Sequence, residues 1–210
     1  MAKNVLSMLS YADSFTILNG IFGLLSIFFI INGNMHFSFI LILLAVLSDG
    51  MDGIIARKFG SKLPVIDEFA DIVSFCVAPC IFVFLLYNEI SFLCFFFLIA
   101  GILHLVNYHI NKKNYFLGIT TPASAIIITS ISYLFVPSYI IAIAIISLSF
   151  LMLLNIPYPR IEGMFSVVAF IIIILAILLS NYKIFVYVLI FSTLFYIIAG
   201  PFYLKYSKAR

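Results

Sequence analysis

Apolar positions in this chain of 210 residues run in long blocks, not in the one-sided or alternating patterns of soluble helices and strands. Eight blocks approach the ~20 residues that carry a helix across a bilayer. They span residues 14–32, 36–57, 66–87, 91–109, 119–136, 138–155, 163–180 and 183–204. Short polar connections separate them, so residues 1–210 read as a single domain. The expected fold is all-α, a polytopic membrane helix bundle of about eight transmembrane helices. The turn KFGSKLP, with Gly60, Ser61 and Pro64, ends the second block and starts the third. Pro79 predicts a kink within the third. The opening MAKNVLSMLS has too short an apolar region, and no small-residue cleavage site, for a signal peptide; it is expected on the membrane surface.

The pattern breaks at one stretch, residues 49–71, DGMDGIIARKFGSKLPVIDEFAD, which holds Asp49, Asp52, Asp67, Glu68 and Asp71, five of the eight acidic residues. Asp49 and Asp52 stand at i and i+3, and Asp67 and Asp71 at i and i+4, so on neighbouring helices each pair shares a face, with Glu68 on another. A carboxylate near the bilayer core costs at least ~2.5 kcal/mol, and four facing one another also repel. A pair of divalent cations neutralises them directly. Hard carboxylate oxygens select Mg2+ or Mn2+ over zinc.

Composition sharpens the membrane reading: 65% of residues are hydrophobic, 9% are charged, and mean hydropathy is +1.28. With both termini cytoplasmic, Lys3, Arg57, Lys58, Lys62, Lys112, Lys113, Arg160, Lys205, Lys208 and Arg210 share one side, leaving only Lys183 outside. That asymmetry predicts an integral protein of the cell (cytoplasmic) membrane whose acidic stretch faces the cytoplasm. No nucleic-acid partner is expected. Cys76, Cys80 and Cys94 read as small packing residues. Tyrosines near span ends supply the interfacial belt, since tryptophan is absent.

Around the acidic stretch, Thr16, Asn19 and Gly23 form a small polar stripe on the first helix. Such a stripe serves helix packing or, through Asn19, a polar ligand. Gly53 and Ala56 clear space beside the carboxylates, and Arg57 offers a cation to phosphate oxygens. His36 reads as interfacial. His104 and His109, near the end of the fourth helix, fit helix hydrogen bonding and acceptor binding about equally.

Asp49, Asp52, Gly53, Ala56, Arg57, Asp67 and Asp71 resemble the signature of the CDP-alcohol phosphatidyltransferases, DxxDGxxAR followed by GxxxDxxxD. The connection between Arg57 and Asp67 is about three residues shorter than the usual spacing, and Leu63 stands where a glycine is usual. Three further stretches, IDEFADIVSFCVAP (66–79), FLGITTPASA (116–125) and LMLLNIPYPR (151–160), resemble the membrane-embedded serine phosphatidyltransferase branch of bacteria and archaea. Where that branch often carries arginines in the fourth span, LHLVNY (103–108) has His104 and Asn107.

The resemblance implies an enzyme of phospholipid biosynthesis, in which a CDP-linked lipid, of diacylglycerol or archaeol, passes its phosphatidyl group to L-serine and CMP leaves. Two ions held by Asp49, Asp52, Asp67 and Asp71 would clamp the diphosphate, and Asp71 would be the base. Asn19, Gly53, Ala56 and Arg57 would line the CDP-lipid site. Lys112, Lys113, Arg160 and His104 are the candidates for binding the acceptor. Glycerol phosphate or inositol phosphate is the alternative acceptor within the family. A cation transporter is the alternative of another class, disfavoured because the outer halves of the spans are almost uniformly apolar. The apolar seventh and eighth spans leave room for a homodimer.

Overall fold

The computed structural model describes residues 9–61, 63, 65–111 and 115–207, with side chains as far as Lys205. Lys62, Pro64, Lys112, Lys113, Lys208 and Arg210 lie outside the described residues, as do residues 1–8, Lys3 among them.

Helix α1 (Tyr11–Ile31) starts at a capping box. Ser10 Oγ accepts from the Asp13 N–H at 3.3 Å, and the Ser10 N–H donates to Asp13 Oδ2 at 2.7 Å. A turn at residues 32–34 sends α2 (Met35–Phe59) back along α1. The third pass is compound: α3 (Val65–Asp71), a π-helical segment (Ile72–Val77) and α4 (Ala78–Leu86). The Ala78 N–H donates to the carbonyl of Val73, five residues back. Pro79 has no N–H, and its ring crowds the carbonyl four residues earlier; a widened turn before it accommodates both demands. The kink predicted at Pro79 thus takes the form of a π segment just ahead of it.

A 3₁₀ segment (Asn88–Leu93) leads into α5 (Cys94–Asn111), followed by strand β1 (Tyr115–Leu117), α6 (Thr121–Tyr133) and α7 (Ser138–Leu153). Strand β2 (Pro157–Pro159), α8 (Met164–Leu178) and α9 (Lys183–Ser207) complete the chain. Each apolar block of the sequence is therefore helical, and the protein is an all-α bundle. Among the described residues, five helical stretches are long and apolar enough to cross a membrane: Tyr11–Ile31, Met35–Phe59, Val65–Leu86, Asn88–Asn111 and Lys183–Lys205. Ser138–Leu153 and Met164–Leu178 are shorter apolar helices.

Helix α6 is the exception in character. Its 13 residues rise only ~20 Å, and nearly all are buried, including Ser124, Thr129, Ser130 and Ser132. It lies between two apolar clusters, one around Phe39, Ile42, Phe75 and Phe82, the other around Phe97, Ile128, Ile141 and Ile145. Surrounded by protein, α6 need not match the bilayer in length or polarity. Phe28, Phe95, Phe150, Phe191 and Phe195 instead face outward, a belt whose natural solvent is lipid.

The small antiparallel ribbon of β1 and β2, which the apolar pattern does not foretell, pairs Tyr115 with Pro159, Phe116 with Tyr158 and Leu117 with Pro157. It joins FLGITTPASA to LMLLNIPYPR, stretches far apart in the chain. Gly118 allows this approach: at φ +85° its N–H donates to Ile156 O at 2.8 Å, and a Cβ there would overlap the Met152 carbonyl. All three cysteines are free. Cys76 packs against Gly101, while Cys80 and Cys94 donate weakly to each other's carbonyls.

Candidate active site

Helices α2 and α3 bring their carboxylates together at one end of the bundle. One oxygen from each of Asp49, Asp52 and Asp67 lies within 4.8 Å of the others. Asp71 is within electrostatic reach of all three. Asp52 and Asp71 are buried, and Asp67 Oδ1 is buried with no hydrogen-bond partner among the described residues. Unit charges 4 Å apart repel by about 4 kcal/mol at an effective dielectric of 20, so the arrangement calls for a counter-charge. An all-oxygen donor set with an unpartnered buried oxygen fits a hard divalent cation.

Helix α1 holds the two carboxylate helices in register. Thr16 Oγ1 donates to Asp52 Oδ2 at 2.8 Å, and Asn19 Nδ2 donates to Asp71 Oδ1 at 2.8 Å. The wide π turn presents Ser74, whose Oγ donates to the Asn19 carbonyl at 2.8 Å. Gly23 makes room for this contact: a Cβ there would fall 2.6 Å from Ser74 Cα. Thr16 and Asn19 of the sequence stripe therefore face the carboxylates and Gly23 faces Ser74, with the Asn19 amide oxygen buried and unpartnered among the described residues. The connection between α2 and α3 is tied back as well, because Ser61 Oγ donates to Asp13 Oδ1 at 2.6 Å.

The remaining predicted residues surround this centre unevenly. Arg57 folds over Gly53, where a Cβ would meet its Nη1 at 3.4 Å, and its Nε pairs with Glu162 at 3.6 Å in an exposed ion pair. Ala56 is half-buried on the same helix. Arg160, which follows β2, donates from Nη2 to the Tyr108 hydroxyl at 2.9 Å and lies over the rings of Tyr108 and Phe116. Tyr108 in turn is within electrostatic reach of Asp67, Asp49 and Glu68. His104 is buried, its Nδ1–H donating to the Met152 carbonyl at 3.1 Å. Lys112 and Lys113 lie outside the described residues.

Residues 9–198 match the family model described as CDP-alcohol phosphatidyltransferase. The chain belongs to that family. It is accordingly an integral membrane enzyme, a phosphotransferase. It is 34% identical to the archaetidylserine synthase of Methanothermobacter thermautotrophicus over 77% of this chain and 75% of that one. The CDP-diacylglycerol–serine O-phosphatidyltransferase of Methanocaldococcus jannaschii is 34% identical over 75% of this chain and 77% of its own length. The enzyme of the same name from Bacillus subtilis is 32% identical over 69% and 87% respectively.

Within this family member, several site neighbours escaped the reading of the sequence. Asp13 was legible in part, since Ser10 and Asp13 have the spacing of a capping box; its bond to Ser61 was not. The Glu68–His109 pair, at 2.6 Å, joins α3 to α5 and depends on packing that no local pattern encodes. The same is true of Tyr108 beneath Arg160 and of Glu162 beside Arg57.

Proposed function

We propose that the protein transfers the phosphatidyl group of a CDP-linked lipid to the hydroxyl of L-serine, releasing CMP. The observation that carries the reading is the trio of Asp49, Asp52 and Asp67, with Asp71 beside it, in a chain of this family whose three relatives above are named for archaetidylserine synthesis or serine phosphatidyl transfer. Asp49, Asp52, Asp67 and Asp71 would hold two Mg2+ or Mn2+ ions, which when bound neutralise a diphosphate and stabilise the oxygen that departs with CMP.

The rest is the work of the chain itself. Thr16 and Asn19 fix the rotamers of Asp52 and Asp71 before substrate arrives, so little reorganisation remains. Asp71, with one oxygen committed to Asn19, takes the proton of the serine hydroxyl as that oxygen forms its bond to the lipid-side phosphorus. The bond from that phosphorus to CMP breaks, and CMP leaves with the electron pair. Gly53 and Ala56 let the nucleotide approach α2 closely, and Arg57 steadies its phosphates. Arg160, held by Tyr108 and Phe116, offers the cation that a serine carboxylate needs.

Arg57, Lys58 and Arg160 lie at the aspartate-bearing end and Lys183 begins the helix that leads back to it. This supports a cytoplasm-facing site in the cell membrane. The test is CMP release by the purified chain from CDP-diacylglycerol and CDP-archaeol, with Mn2+ and with serine, glycerol phosphate or inositol phosphate in parallel. Serine alone should release CMP, and exhaustive chelation should stop it. Release with a phosphate-bearing alcohol while serine stays inert would move the protein to another branch of its family.

A further inference from the structure

We propose that Glu68 holds the ammonium group of the acceptor amino acid, opposite Arg160 and Tyr108, so that the pocket selects a zwitterion. The inference deepens, and rests on, the serine reading above.

Glu68 adjoins Asp67 in sequence but does not join the trio of Asp49, Asp52 and Asp67. His109 draws it the other way: Nδ1 of the ring lies 2.6 Å from Glu68 Oε1. The second oxygen, Oε2, is buried and has no hydrogen-bond partner among the described residues. A buried carboxylate oxygen without a donor is costly, and a native site keeps one where a donor arrives from outside. His109 is thus a positioning residue that stops the carboxylate from turning toward solvent.

The surroundings name the donor. Tyr108, next to His109 on α5, lies within electrostatic reach of Glu68 on one side and donates no charge of its own, while its hydroxyl accepts from Arg160 Nη2 at 2.9 Å. An anion, a hydroxyl and a cation therefore sit in one neighbourhood beside Asp67. A hydroxy amino acid carries the complement on adjacent carbons: an ammonium, a carboxylate and the nucleophilic oxygen. Glycerol phosphate or inositol phosphate would instead present a dianion to Glu68, a like-charge contact of the kind that excludes wrong partners.

The experiment compares the purified full chain with its Glu68→Gln variant in CMP release, using CDP-diacylglycerol or CDP-archaeol, Mn2+ and L-serine. 3-Hydroxypropionate, which is serine without its ammonium, serves as a competitor. Losing a charge-assisted hydrogen bond should raise KM for serine about 10- to 100-fold and leave the inhibition constant of 3-hydroxypropionate and KM for the CDP-lipid within about twofold. A Glu68 that merely ties α3 to α5 would shift all three constants together, and that result, or an unchanged KM for serine, overturns the proposal. If Glu68→Gln fails to accumulate in the membrane, Glu68→Asp retains the charge but retracts it and should show the same selective loss for serine; an equal loss for 3-hydroxypropionate overturns the proposal there too. Wild-type enzyme inert toward serine is a separate outcome, which removes the serine reading itself.

Discussion

At the aspartate-bearing end of the α1–α2 hairpin, Thr16 and Asn19 reach across to Asp52 and Asp71, and carboxylate oxygens remain without donors among the described residues. At the opposite end the buried polar groups are hydroxyls. Ser26 bonds Ser38 at 2.8 Å, half-buried His36 bonds Tyr133 at 2.8 Å, and Thr129 returns its hydroxyl to the Ala125 carbonyl. Hydroxyls of this kind knit helices together where no apolar driving force distinguishes protein from lipid. Paired in this way, they ask for nothing from outside. Excess negative charge does, because its desolvation and mutual repulsion have no remedy within the described residues except an incoming cation or substrate. The contrast separates the polar atoms that assemble the bundle from those that perform chemistry.

The contrast breaks if charge at the first end is dispensable. Asp52→Asn or Asp67→Asn should lower CMP release by ~1,000-fold or more, beyond the ~100- to 1,000-fold effect of removing one electrostatic contact, while the protein still inserts. Ser38→Ala, at the opposite end, should turn over like the wild type. The next largest effect is that of Asp71→Asn. The side-chain carbonyl of the new residue still accepts from Asn19, so the local fold survives, yet a general base worth ~100- to 10,000-fold is gone. Single-turnover rate should fall while CDP-lipid affinity stays near wild type. A parallel drop in both would make Asp71 an essential ligand and not the base.

Much of this division was legible in the sequence. The eight apolar blocks gave the helices because hydrophobic length is a local property, and the spacings of Asp49, Asp52, Asp67 and Asp71 placed their carboxylates on shared faces for the same reason. The stripe of Thr16, Asn19 and Gly23 announced a contact face but not its partner. What the sequence withheld was set by packing between distant segments: the ribbon of β1 and β2, the choice of α6 as the protein-enclosed helix, the Glu68–His109 pair and the clasp of Tyr108 on Arg160. The near-uniformly apolar outer halves also proved less uniform once folded, since Ser130 and Ser132 on α6 are buried there. Their helix is shielded from lipid on both flanks, and hydropathy along the chain cannot report shielding.

A smaller effect sharpens the comparison where α1 meets the π segment. Gly23→Ala places a Cβ 2.6 Å from Ser74 Cα and 2.9 Å from its Cβ. Backbone cannot yield as a flexible side chain does, so α1 must move away from the third pass. Overpacking of this kind costs about 1–3 kcal/mol, readable as a lower thermal midpoint in detergent. Because the same displacement draws Asn19 from Asp71, turnover should fall as well, by less than in Asp71→Asn. A variant with full activity and an unchanged midpoint would mean that this contact does not set the register of the site.

The smallest effects belong to the opposite end, and there their sign is the informative part. Tyr133→Phe removes the partner of His36 while keeping the ring stacked on Phe39 at 4.5 Å, so stability should fall by about 1 kcal/mol, the net value of one hydrogen bond. Ser130→Ala should behave oppositely. Its hydroxyl is fully buried and has no hydrogen-bond partner among the described residues, so removing it relieves a desolvated group without orphaning another, and the thermal midpoint should stay level or rise. CMP release should be unchanged in both variants, because neither group touches the carboxylates or the helix faces that orient them. A marked loss of turnover in Ser130→Ala would extend the working site through the bundle and erase the distinction between its two ends.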